Sequence, residues 1–156
     1  MVKDYNDFFP ILKNTNLFDH LERVVLLFNT APMNRKLQKE LKFKIGEQYG
    51  KYEFELDWVT TVLDNNLRYE VYQYIGNDKN TIFDFEVHKI LLAYNCDFLA
   101  GIFYFIKGDS YSKILSEVQN EFSCTTKIKI NVVKKSKNIT ELFILSHRLS
   151  SNSFHI

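Results

Sequence analysis

Between Tyr52 and Gly76 the chain reads "YEFELDWVTTVLDNNLRYEVYQYIG", and four of its carboxylates could do chemistry together. Glu53, Glu55 and Asp57 alternate along what reads as a strand, opposite Tyr52, Phe54, Leu56 and Trp58. Glu70 joins the acidic face from a return strand after "DNN". If the turn centres near Leu63 and Asp64, Asp57 stands opposite Glu70, with Cβ atoms roughly 5 Å apart. Two carboxylates at that spacing offer hard oxygen ligands to a divalent cation such as magnesium. Such an ion can activate water and offset charge on a phosphodiester. Asp64, in the turn, lies about 20 Å from Glu70 along an extended strand, so Asp57 is the better partner. Tyr72 shares the face of Glu70, and Gln73 reaches it only through a bulge at Tyr72. The plainer reading is a solvated acidic face balanced by nearby lysines.

Other constellations are sparse. His20, His88, His147 and His155 lack metal-ligand spacing, and so do Cys96 and Cys124, which read as buried thiols. No glycine-rich phosphate loop and no nucleophile elbow is present. Arg35, Lys36, Lys39, Lys42 and Lys44 gather on one segment, and "KKSK" spans Lys134 to Lys137. Each is a solvated basic face or a phosphate contact.

These residues need elements to hold them. Asn16 can cap a helix from Leu17 to about Phe28. Met33, Leu37, Leu41 and Ile45 predict a second helix, stopped at Gly46. The hairpin follows. Thr81 to Tyr94 reads as a helix, because it is long for a strand and Ile82, Phe85, Lys89 and Leu92 share a helical face. The alternation of Asp84, Glu86 and His88 leaves a metal-binding strand as the other option. "FLAGIFYFI" reads as a strand buried on both faces. Asp109 or Ser110 caps a helix to about Phe122, and "KIKINVV" and "ELFILS" close the chain as strands. The expectation is an α/β fold: a mixed sheet with helices on both faces.

The 156 residues suit one domain, placed at 1–150, with 151–156 a fraying tail. Hydrophobic residues at 46% and charged residues at 25% are ordinary for a globular protein, whereas 15% aromatic is high. A net charge of +1 neither advertises nor excludes nucleic acid. "FFPIL" is too short and too acidic in its flanks for a signal peptide, and no window approaches a bilayer span. The expected location is therefore cytoplasmic.

A carboxylate on one strand and Glu-x-Lys on the next is the active-site pattern of the PD-(D/E)xK nucleases. Within them, "EVYQYIG" from Glu70 to Gly76, then "FDFEVHKILLAY" and "FLAGIFYFI", resembles the BglII and BstYI group of type II restriction endonucleases. "MNRKLQKELKFKIG" and "NLFDHLERVVLLF" are similar in kind to helices of that group. This chain has one residue more between Glu70 and Gln73 than the group's Glu-x-Gln. The resemblance implies a restriction-endonuclease-like core and a magnesium-dependent, sequence-specific double-stranded DNA endonuclease, with a GATC-centred site. It implies a homodimer on a palindromic site. Asp57 or Asp64, with Glu70, would bind the metal, and Gln73 or Lys89 would position the attacking water. Lys36, Lys39, Lys134, Lys135 and Lys137 would contact phosphates, and Arg148 would read guanine. Two alternatives stay open: an inactive relative that binds DNA or protein, and an unrelated interaction protein whose acidic face takes a basic partner.

Overall fold

The computed structural model describes residues 24–26, 35–78, 80–121 and 128–149. They form β1 (Val24–Leu26), α1 (Arg35–Glu40), β2 (Leu56–Asp64), β3 (Leu67–Tyr74), β4 (Thr81–Ile82), β5 (Phe85–Asn95), β6 (Phe98–Lys107), α2 (Tyr111–Glu121), β7 (Ile128–Ser136) and β8 (Ile139–Ser146). The strands make one sheet in the order β1-β7-β8-β6-β5-β3-β2, with β4 hydrogen-bonded to β5. Every pairing is antiparallel.

The expected α/β fold, with a mixed sheet and helices on both faces, is thus replaced by a mostly antiparallel sheet. The largest change is at Thr81–Tyr94, which forms β4 and β5 instead of a helix. From Phe85 to Lys89 burial alternates, and from Ile90 to Tyr94 every residue is buried. The second pattern is that of a strand covered on both faces, which helical spacing imitates. Its unusual length is supported by β6, which pairs with it from Val87 to Asn95, and by β4, which pairs with Phe85 and Glu86. Val24–Leu26, inside the expected first helix, pairs with β7 through Val24↔Val132, Val25↔Asn131 and Leu26↔Ile130. Residues 17–23 and 27–28 of that helix lie outside the described residues. The second helix ends at Glu40 and not at Ile45, because from Leu41 burial alternates: Leu41 and Phe43 are inside and Lys44 is outside; its residues 33–34 lie outside the described residues. Gly46 does turn the chain, at φ 90°, and its N–H donates to the Leu99 carbonyl.

The strand over "FLAGIFYFI", the helix after Ser110 and the two closing strands form as the sequence predicts. Ile114 N–H donates to the Ser110 carbonyl, placing Ser110 at the start of α2. Tyr111, Ile114 and Val118 turn inward, onto Ile130, Val132, Leu142 and Ile144. α2 carries the chain from β6 to β7 across β8, a crossover that two-residue turns could not make.

Both sheet faces carry apolar clusters. The helix face holds Leu37, Phe43, Tyr74, Leu92, Tyr94, Ile102 and Tyr104. The far face holds Val62, Tyr69, Val71, Leu91, Ala93, Phe103 and Leu145, with Leu149 folded over Gly101. Residues 151–156 lie outside the described residues.

Candidate functional site

Hairpin β2–β3 forms the end of the sheet, and its turn decides which carboxylates meet. Asn65 and Asn66 take φ of 47° and 62°, the left-handed pair of a two-residue hairpin turn, which asparagine tolerates well. The turn therefore centres two residues beyond Leu63–Asp64. Its register sets Thr61 opposite Glu70, Leu63 opposite Arg68 and Asp64 opposite Leu67. A bulge between Trp58 and Thr60 then offsets the pairing, so that Trp58 faces Tyr72 and Asp57 faces Gln73. The bulge is on β2 and not at Tyr72.

This register overturns the expected pairing of Asp57 with Glu70. Without the bulge Asp57 would share the face of Glu70; the extra residue turns it over. Glu70, Thr61 and Trp58 lie on the helix face, and Asp57, Asp64 and Gln73 on the far face. Asp64 is buried beside Tyr69. Lys89 is on β5, also on the far face, with its ammonium 5.5 Å from the Phe105 ring. Glu70 thus meets none of the other residues expected to share a metal with it. Among the described residues no group of three or more His, Cys, Asp or Glu could hold an ion. The described residues do not bring Asp57, Asp64 and Glu70 together as a magnesium site. Asp84, Glu86 and His88 fall on a turn and a strand, and Glu86 pairs with Lys107 at 2.7 Å.

Glu70 has other work. The Trp58 indole N–H donates to it at 3.0 Å, the Thr61 hydroxyl at 2.8 Å and Arg68 Nε at 2.6 Å. Burial acts to raise its pKa, but these donors outweigh burial and hold the carboxyl below its ordinary range. A carboxylate with three donors is a clamp, and what it fixes is the Trp58 ring.

That ring is 57% exposed, on the terminal strand. Leu63 on the same strand is 74% exposed, and Phe54, in the turn before it, 91%. Ile75 is exposed too, and its N–H donates to the Glu55 carbonyl, tying the end of β3 to the turn before β2. Interleaved with these are the exposed carboxylates of Glu53, Glu55 and Asp57. Lys42 lies 3.7 Å from Glu55 and also meets Asp78; among the described residues, Glu53 and Asp57 have no ion pair. The turns Tyr49–Lys51 and Glu53–Glu55 rest on an aromatic floor. Phe43 meets Tyr52 and Tyr74 edge-on, and Tyr49 packs against Tyr72 and Tyr94. Gly76 ends this floor, because a Cβ there would collide with the Tyr74 ring.

The residues expected to touch DNA do not form one surface. Lys134 pairs with Asp109 at 3.2 Å, and Lys135 is committed to the buried Glu141. Lys39 is exposed on α1; Lys36 belongs to the same helix, and its side chain lies outside the description. Lys137 precedes β8 and Arg148 follows it, so they sit at opposite ends of an eight-residue strand, roughly 25 Å apart.

Sequence reasoning missed Trp58, Thr61 and Arg68 as partners of Glu70. It set Trp58, with Leu56, on the face opposite Glu70. The signal was present in "DNN": counting both asparagines as the turn sets Thr61 opposite Glu70. No family model, no curated protein and no solved structure matches this chain.

Proposed function

We propose that the protein is a protein-binding module that docks a basic, extended segment of a partner along the β2 edge. The observation that carries this reading is the exposed row of Phe54, in the turn before β2, and Trp58 and Leu63 on β2, the last strand among the described residues, near Glu53 and Asp57. A terminal strand presents unpaired backbone groups to a further strand. Strand addition draws affinity from those groups and specificity from alternate side chains. Exposed aromatic and aliphatic side chains supply the buried anchors of an interface, and a clamped tryptophan loses little freedom on binding. The carboxylates of Glu53 and Asp57, without an ion pair among the described residues, select against acidic partners and favour lysine and arginine.

The same charges weigh against DNA at this edge, since phosphates would meet Glu53, Glu55 and Asp57. The endonuclease reading would need Asp57 or Asp64 to converge with Glu70, and both lie on the opposite face from it.

Trp58 is the chain's sole tryptophan, so its fluorescence reports on the site directly. A twelve-residue peptide alternating lysine with valine is the probe. Saturable blue-shifting of Trp58 emission is expected with this peptide and not with its glutamate counterpart. Glu53→Lys with Asp57→Lys should weaken binding by about tenfold, as for two rim ion pairs lost. No shift with either peptide, together with magnesium-dependent cutting of DNA, would return the molecule to the nucleases.

A further inference from the structure

A second cluster lies on the far face, at the end of the sheet away from Leu149. The pairings Glu141↔Phe105 and Phe105↔Lys89 set these residues in a row across β8, β6 and β5. Lys135 reaches the row from β7, beside the register shift between Lys134 and Ser136, and pairs with Glu141. Both ammonium groups face one ring: Lys89 lies 5.5 Å and Lys135 5.8 Å from the Phe105 centroid.

The two lysines are not equivalent. Glu141 is 5% exposed and pairs with Lys135. Lys89 is half-buried and has no ion-pair partner among the described residues. Burial lowers its pKa, and the Lys135 charge lowers it further, against a smaller opposing pull from Glu141. Those are the charged groups that act on it. A desolvated lysine beside another cation is an arrangement that activates an amine as a nucleophile.

We propose that Lys89 is a reactive amine site for a small carbonyl compound, an aldehyde or ketone. The neutral amine places its lone pair on the carbonyl carbon, and the carbonyl oxygen takes a proton to give a carbinolamine. Loss of that hydroxyl as water, with the nitrogen proton returned to solvent, leaves an imine. No oxidant or reductant is needed. The exposed side of Phe105 offers an apolar surface for the carbon chain of the compound. This site lies on β5, two strands from the β2 edge, with Trp58 on the opposite face.

The test is competitive reductive alkylation of the intact folded chain. Propanal with cyanoborohydride at neutral pH and low conversion marks each lysine, and peptide mass spectrometry gives the rate at each. Lys89 is expected to be alkylated several-fold faster than the exposed Lys39 and Lys137, with its rate rising at lower pH than theirs. Lys89→Arg should remove the fast site and leave the other rates and the circular dichroism unchanged. A Lys89 rate equal to or below those of Lys39 and Lys137 would overturn the proposal, because a lysine that only spans the Phe105 ring would be shielded and not activated.

Discussion

At the scale of single residues, Glu70 is the organising group of the hairpin. Replacing it with glutamine keeps the shape and removes the charge that Trp58, Thr61 and Arg68 address. Hydrogen bonds to a charged acceptor are worth about 1.5–3 kcal/mol, so Glu70→Gln should lower stability by roughly 2 kcal/mol in urea unfolding. It should also shift Trp58 emission to the red as the ring loosens. The pH dependence follows from the sign of the shift. Glu70 has a folded pKa below the ordinary value of 4.5, so its contribution is complete above that pH and is lost as pH falls through the folded pKa. Glu70→Gln should flatten that acid limb. A second contrast lies on the far face. Lys135→Met leaves Glu141 buried without its partner and should cost about 3 kcal/mol. Lys134→Met, which loses an exposed pair with Asp109, should cost under about 1 kcal/mol in the same denaturation series.

At the scale of elements, three of the two-residue turns among the described residues hold both of their residues at positive φ: Asn65–Asn66, Phe83–Asp84 and Cys96–Asp97. Asparagine and aspartate accept that region, whereas phenylalanine and cysteine do so at a cost. Phe83 is held by its surroundings: its N–H donates to Glu40 at 2.9 Å, and its carbonyl accepts from Lys113 at 3.3 Å. Cys96 is exposed, so nothing is lost from the core when it is changed. Cys96→Asn should stabilise the protein by up to about 1 kcal/mol, read as a higher midpoint of thermal unfolding. The turns also explain what was legible. "FLAGIFYFI" is apolar at every position, and α2 repeats Tyr111, Ile114 and Val118, so both types could be read locally. Thr81–Tyr94 could not, because half of it alternates and half is buried on both faces, and a helical spacing emerges from the sum. "NCDF" carries no glycine, so the β5–β6 hairpin that would have corrected the reading gave a weak signal. The hairpin itself was visible. The face of Asp57 was not, because a single bulge residue between Trp58 and Thr60 decides it and leaves no mark in composition.

At the scale of the whole molecule, the sheet has two kinds of working surface. Much of its helix face and of its far face is core, and Ile90–Tyr94 of β5, with most of β6 and β8, is buried from both sides. What remains for recognition is the end of the sheet, where β2 has a neighbour on one side among the described residues. The bulge there strengthens local twist, a device that discourages indiscriminate edge pairing while leaving the strand open to a matched segment. The net charge of +1 conceals this arrangement, in which Glu53, Glu55 and Asp57 stand together at one edge while Lys107, Lys134 and Lys135 are used in ion pairs elsewhere. The most direct test of the β2 edge is amide hydrogen exchange, measured residue by residue with and without the lysine–valine peptide. Docking by strand addition predicts slower exchange concentrated in Leu56–Asp64, with β7 and β8 unchanged. Unchanged exchange in β2, or protection confined to another part of the sheet, would contradict it.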